Sequence, residues 1–149
     1  MKAVLLGLLL LGATAASAQS PEAAASPTRF VGTWVGTQKW AIENPPPGSS
    51  QEQAVTLTIE LVDGRLTGTM RPFLGGEEGA TFIESAVIGD ELKVVAMVGR
   101  PGARGGSPVR VGFVFKNDGV NMTGTADVRM GDVPWMKFAY ELGKKRSRY

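Results

Sequence analysis

The sequence predicts an all-β fold, an eight-stranded antiparallel up-and-down β-barrel, and three observations support it. Turn dipeptides that contain glycine recur at roughly the 8 to 12 residue spacing of sandwiches and barrels. Apolar and polar residues alternate between those turns, and almost no segment has a helical period. The strands also number eight, and a sheet of about eight strands closes into a barrel whose interior holds side chains or one small ligand.

The amino-terminal segment is typical of an export signal. Lys2 supplies a positive charge, Ala3–Ala15 is apolar and small, and Ala16–Ala18 offers a cleavage site. That stretch of 13 residues is shorter than the roughly 20 apolar residues that a membrane-spanning helix needs, so we expect cleavage rather than a transmembrane anchor. The mature protein would be periplasmic or secreted, and a bacterial periplasm suits an exported domain without cysteines.

The 149 residues are predicted to form four parts. Residues 1–18 are the signal peptide, 19–28 a flexible segment, 29–142 the barrel domain and 143–149 a basic tail. The formal net charge is +2, and the tail contains four of the cations. A nucleic-acid groove on the barrel is therefore not expected.

The first two predicted strands are Arg29–Trp40 and Ala54–Val62. The second alternates cleanly between apolar residues and threonine or glutamate, which is the period of a half-buried strand. Its predicted inward residues are Val55, Leu57, Ile59 and Leu61.

Glycine turns define the next three strands. Asp63–Gly64 is predicted to be a type I′ turn that leads into Arg65–Arg71. Gly89–Asp90 is predicted to be a type II′ turn that joins Thr81–Ile88 to Glu91–Val98. The predicted inward residues of the third strand are Leu66, Gly68 and Met70.

The last three strands complete the barrel. Asn117–Gly119 is predicted to be a three-residue turn with a bulge at the glycine, between Val109–Lys116 and Val120–Arg129. Trp135–Leu142 is then expected to pair with the first strand. The inward residues predicted here are Val109, Val111, Phe113, Phe115, Met122, Gly124, Ala126, Met136, Phe138, Tyr140 and Leu142.

Two of the predicted hairpins repeat a Thr-Gly-Thr sequence after the turn. Leu66–Thr69 and Met122–Thr125 each place an apolar residue and a glycine inward and two threonines outward. An inward glycine lets a strand bend sharply or lets a large neighbour reach across it. Outward threonine favours extended backbone, so the repeat is predicted to have a structural role.

The first predicted strand contains a Gly-x-Trp sequence at Gly32-Thr33-Trp34, ahead of the other antiparallel strands. In this the chain resembles the calycin superfamily of lipocalins, fatty-acid-binding proteins and avidins. The segment Asp63–Met70 is also similar to the second hairpin of avidins. The resemblance implies that Trp34 plugs the closed end of the barrel and that Gly32 gives it room.

The same resemblance implies two further features. Lipocalins stack an arginine on the plug tryptophan, and Arg129 is the residue available for this. Avidins line their biotin site with tryptophans from later strands, and this chain has none between Trp40 and Trp135. Biotin is therefore not an expected ligand.

Loop lengths predict one tight end and one open end. The connections after even-numbered strands are short turns, whereas those after the first and fifth strands are ENPPPGSSQE and GRPGARGGSP. In an up-and-down barrel the two long loops lie at the same end, where they would frame a mouth. The residues predicted to bind a ligand are Trp40, Phe73, Arg100, Arg104 and Phe113.

No catalytic or metal site is recognisable. The chain has no histidine and no cysteine, which removes the nucleophile–base pairs that need them and the usual zinc ligands.

Glu84 has two predicted orientations. If Phe82 faces inward, Glu84 does too, and it could anchor a ligand or act as an acid; if Ile83 faces inward, Glu84 lies in water. The second arrangement is favoured because an unpaired buried charge is costly. No enzyme activity, metal or cofactor is expected.

Two functions remain open. The first is an exported barrel that binds a small apolar or amphipathic ligand, with Arg100 or Arg104 contacting an acidic group. The second is a filled barrel without a small-molecule site, acting as a structural or protein-interaction module. Catalysis by a barrel carboxylate is a weaker third possibility. A dry interior, without space for even a few waters, would end the hypothesis of a ligand inside the barrel.

Overall fold

The computed structural model describes residues 26–45, 47–48, 51–73, 79–98, 109–130 and 132–146. Within these ranges, eight antiparallel strands form a closed barrel in up-and-down order, with the first strand paired to the last. The predicted fold class is confirmed. The strands are β1 (Gly32–Trp40), β2 (Glu52–Val62), β3 (Arg65–Arg71), β4 (Ala80–Ile88), β5 (Glu91–Val98), β6 (Val109–Asn117), β7 (Asn121–Met130) and β8 (Val133–Lys144).

The observed strands differ from the predicted ones at their ends. β3 and β5 have the predicted bounds, and most of the others are extended or shifted by one or two residues. The largest difference precedes β1, where Pro27–Phe30 forms a 3₁₀ turn rather than the start of the strand. Proline at the first position of that turn fixes φ near the helical value and lacks an N–H that a ladder would need.

Two of the three described hairpin turns have the predicted conformation. Asp63 and Gly64 have φ values of 50° and 77°, both positive as a type I′ turn requires. Gly89 has a φ of 62°, which suits the first position of a type II′ turn.

The third hairpin reverses one residue later than predicted. Gly119, with a φ of 98°, and Val120 form its tip, and the Asp118 N–H donates to the Asn121 carbonyl at 3.1 Å. The Asp118 carboxylate accepts the N–H groups of Val120 at 2.9 Å and Asn121 at 2.7 Å. The predicted Asn117–Gly119 turn is therefore wrong, because the aspartate side chain fixes the chain reversal beyond Gly119.

These three turns lie at one end of the barrel, which we call the tight end. The connections after β1, β3, β5 and β7 lie at the other, the long-looped end. The apolar residues predicted to face inward are buried or half-buried with two exceptions, Leu61 and Ile83. Leu61 is 40% exposed, because it lies next to the turn at the tight end, beyond the packed core.

Strand β4 changes its inward face at Ile83. Phe82 pairs with Ala96 and Glu84 with Val95, so Ile83 is an extra residue that forms a β-bulge. Glu84 is exposed after the bulge, as predicted. Phe82 faces inward before it, which the favoured arrangement did not predict. The prediction that Ile83 faces inward is wrong, since its side chain is 44% exposed.

The two inward glycines of the Thr-Gly-Thr repeats leave room for aromatic rings. A β-carbon on Gly124 would lie 2.3 Å from Cδ1 of Phe115. A β-carbon on Gly68 would lie 2.5 Å from the Thr58 carbonyl oxygen and 3.0 Å from the Phe82 ring. The overlap with Phe115 shows that Gly124 gives room to a large neighbour, as predicted. At Gly68 the Thr58 carbonyl is the limiting contact, and the Phe82 ring is a tight neighbour beside it.

We expect Gly124→Ala to lower the free energy of unfolding by about 1–3 kcal/mol, because the new methyl group would overlap Phe115 in a packed core. Gly112→Ala is the matched control, since its β-carbon would meet nothing within 4 Å. Urea denaturation followed by circular dichroism measures both. Equal losses in the two variants would contradict the assigned role of Gly124.

Acid should weaken the β6–β7 turn. The backbone N–H groups of Asn121 and Val120 lower the pKa of Asp118 below its ordinary value of 3.8. Because the pKa is lower in the folded chain, the carboxylate stabilises the fold above about pH 4 and loses this effect as the pH falls through the folded pKa. The stability difference between the wild type and Asp118→Ala should therefore shrink from about pH 6 to about pH 2 in denaturant titrations. A stability difference between the two proteins that stays constant with pH would refute the assigned role of the Asp118 carboxylate.

Candidate functional site

Aromatic side chains fill the middle of the barrel around Phe113. Its ring centroid lies 5.7 Å from that of Phe73, 5.4 Å from Phe115, 5.9 Å from Tyr140 and 6.5 Å from Phe82. Phe73, Phe113, Phe115 and Tyr140 are each at most 1% exposed, so no water-sized space lies against them. Phe113, predicted to contact a ligand, is thus a core residue in this structure.

Phe30 and Trp34 are buried near the tight end. Both are fully buried, and the Trp34 indole N–H donates to the Phe30 carbonyl at 2.9 Å. Trp34 is the third residue of β1 and therefore lies close to the tight end. The 3₁₀ turn thus brings Phe30 into the core and gives the indole its hydrogen-bond partner.

The cation near the Trp34 ring is Lys144 and not Arg129. The Lys144 Nζ lies 5.4 Å from the ring centroid, within the range of a cation–π interaction. The expectation for Arg129 is wrong because this residue pairs with Pro134 at the long-looped end. Gly32 has a φ of 136°, and a β-carbon there would lie 3.0 Å from Cε of Lys144. Gly32 therefore gives room to the lysine.

A reciprocal pair of hydrogen bonds holds the 3₁₀ turn against β6. The Arg29 Nε donates to Oδ1 of Asn117 at 3.0 Å, and Nδ2 of Asn117 donates to the Arg29 carbonyl at 3.0 Å. Asn117 is 8% exposed, so its amide is well shielded from water. No sequence pattern predicted these hydrogen bonds, because Arg29 and Asn117 are far apart in the chain.

Phe73 follows β3 at the long-looped end. This side chain is fully buried, and its ring lies 5.9 Å from that of Phe138 in an edge-on arrangement. It therefore packs into the interior instead of lining an open rim. Trp40 is half-buried beside it, 4.7 Å from the Phe138 ring. Arg100 and Arg104 lie outside the described residues.

A cleft of about 370 Å³ lies outside the filled interior at the long-looped end. It is formed by the end of β1, the connection that follows and the start of β2; we call it the rim cleft. Lys39 is the one cation among the described lining residues, and its Nζ lies 3.7 Å from the exposed carboxylate of Glu141. The lining residues are Lys39, Trp40, Ile42, Glu43, Pro45, Gln51 and Glu52.

One polar pair is buried among the core aromatics. The Tyr140 hydroxyl donates to Oε1 of Gln38 at 2.8 Å, and both residues are at most 6% exposed. Burial raises the pKa of Tyr140 far above its usual range, so the phenol stays protonated and continues to donate. The pair can orient β1 and β8, and its phenol is not ionised near neutral pH.

The described residues contain no group of three or more histidine, cysteine, aspartate or glutamate side chains placed to hold a metal ion. No helix in the same ranges is long and apolar enough to cross a bilayer. Comparison with protein-family models, curated proteins and solved structures finds no match. The calycin resemblance stays a prediction, and the function has to be inferred from the geometry of this chain.

Removing the Tyr140 hydroxyl tests the buried pair. Tyr140→Phe leaves the Gln38 amide buried without its partner and should cost about 1–3 kcal/mol of unfolding free energy. Adding Gln38→Leu removes the orphaned group and should recover most of that loss. Thermal and urea denaturation of the two variants measure this; additive losses in the double variant would argue against the pairing.

Proposed function

We propose that the protein is an exported binding protein whose filled barrel is a rigid scaffold for a small amphipathic ligand in the rim cleft. The position of Trp40 supports this most strongly. Its ring packs on Phe138 at 4.7 Å, and the same residue lines a cleft of about 370 Å³. That volume is within the usual range for small-molecule sites, roughly 300 to 1,000 Å³. Loops held by a rigid scaffold are also common binding sites.

The lining of the rim cleft indicates the chemistry of the ligand. Trp40, Ile42 and Pro45 offer an apolar surface, and Glu43 and Glu52 offer carboxylates. Because the Lys39 ammonium lies near Glu141, negative charge predominates among the described lining residues. The ligand that fits best has an apolar face together with a cationic or hydrogen-bond-donating group. This differs from the acidic ligand group that we expected opposite Arg100 and Arg104.

Export is part of the proposal and rests on the amino-terminal sequence. Lys2, the apolar stretch Ala3–Ala15 and the small residues Ala16–Ala18 fit a signal peptide. The absence of cysteine means that such a protein relies on its core instead of disulfides. The aromatic core of the barrel is suited to that requirement.

A second candidate function is a protein-interaction module. Val133 is 66% exposed and Trp135 is 49% exposed, two residues apart near the start of β8. Exposed tryptophan is uncommon on surfaces that contact only water, and it is enriched where proteins bind one another. A filled interior is compatible with this function, since such a module needs no internal ligand.

Native mass spectrometry of protein purified from its host distinguishes these functions. We expect a small molecule to co-purify with the wild type and to be lost from Trp40→Ala, because the indole is the largest apolar surface of the rim cleft. Trp135→Ala is the matched control and should retain the molecule. Circular dichroism establishes that both variants are folded.

Two outcomes would count against ligand binding at the rim cleft. Retention of the small molecule by a folded Trp40→Ala variant would place it elsewhere. A bound protein partner, or a second copy, that is lost only from Trp135→Ala would support the interaction module instead.

A further inference from the structure

The barrel wall opens between β3 and β4. In the described chain this ladder has two residue pairs, Thr69 with Thr81 and Met70 with Ala80, whereas β2 and β3 pair over seven residues. The β4 bulge at Ile83 begins where the ladder stops. Beyond it, the Ser85 hydroxyl donates to the Leu66 carbonyl at 2.6 Å, so a side chain spans the two strands where a backbone ladder would otherwise continue.

This opening forms a groove of about 290 Å³ on the outer wall, here called the wall groove. Gly68 and Phe82 lie at its base, and Phe82 is 8% exposed there. Glu60 is exposed at one side. The rest of the lining consists of four threonines, Thr58, Thr67, Thr69 and Thr81.

The register places these side chains in two rows. Thr58 pairs with Thr69, which pairs with Thr81, so three threonines form a row across three strands. Adjacent strands are about 4.8 Å apart, which sets the approximate spacing of the hydroxyl groups. Glu60 and Thr67 form the second row. The groove thus presents a regular set of hydroxyl groups next to a single carboxylate.

The lining selects a ligand class by its chemistry. Each hydroxyl both donates and accepts a hydrogen bond, and the carboxylate accepts. No lysine or arginine lines the groove, which disfavours an anionic ligand, and Phe82 is too little exposed to hold a lipid. A neutral ligand with several hydroxyl groups, that is, a saccharide, matches the hydroxyl groups and the carboxylate of the groove.

The second Thr-Gly-Thr repeat is an internal comparison. Thr123 and Thr125 of β7 also face outward, but β7 pairs with both neighbours over eight or more residues. Their partners on β6 are Lys116 and Val114, and on β8 Glu141 and Ala139. That repeat therefore has neither an opening in the wall nor a row of hydroxyl groups.

From these observations we infer that the wall groove is a binding site for a neutral saccharide of one or two rings. The site is separate from the rim cleft and does not depend on the ligand proposed there. Arg65 and Arg71 lie on β3 at either side of the threonines but do not line the groove. These two arginines can contact a longer saccharide that extends beyond the wall groove.

NMR titration of the ¹⁵N-labelled protein with maltose, cellobiose and N,N′-diacetylchitobiose tests the inference. We expect at least one disaccharide, at up to about 10 mM, to shift the backbone amides of Thr58, Thr67, Thr69 and Thr81, because an open site with a few hydrogen bonds corresponds to a dissociation constant on the order of 1 mM. Thr67→Val with Thr69→Val should weaken binding about tenfold or more. Thr123→Val with Thr125→Val, the matched control, should leave it unchanged, as should Trp40→Ala.

Three results would overturn the inference. One is the absence of shifts at these amides with all three disaccharides. Another is an equal loss of binding in the β3 and β7 double variants, since those differ only in which repeat is changed. The third is an equal or stronger response to digalacturonic acid or to glycerol, which would mean that the groove does not select a neutral saccharide.

Discussion

The pairing of β1 with β8 is the interaction on which the rest of the structure depends. It runs from Trp34 opposite Lys144 to Trp40 opposite Phe138. Closure pairs the backbone N–H and C=O groups of the two edge strands, which an open sheet would expose to other chains. It also assembles both ends of the barrel, because Lys144 lies over the Trp34 ring and Phe138 packs against Trp40.

With the barrel closed in this way, the inward side chains of the described residues pack against one another, and the two sites found among those residues lie on the outside. Gly68 and Gly124 let Phe82 and Phe115 cross their strands, so the aromatic rings reach the middle of the barrel. Phe30 and Phe73, both fully buried, cover the two ends. The exposed sites are consequently where regular pairing stops: at a long connection in the rim cleft and at a bulge in the wall groove.

The site residues illustrate what local sequence can and cannot predict. Trp40 was expected at the long-looped end and does line a cleft there. Phe73 and Phe113 were expected to meet a ligand, but they are buried against other aromatics. Residue type alone does not distinguish a ring in a pocket from one in a core. The wall groove was missed, although the ambiguous alternation around Glu84 was a local sign of the bulge that opens it.

Sequence alone determined the strand number and order, most inward faces and two of the three described turns. These features follow from alternation with a period of two and from glycine at positions of positive φ, which are local properties of the chain. Tertiary structure decided that the interior is filled, that Lys144 and not Arg129 lies over Trp34, and that one Thr-Gly-Thr repeat borders a groove while the other does not. Each of these depends on side chains distant in sequence meeting across the barrel, and no local pattern records which ones do.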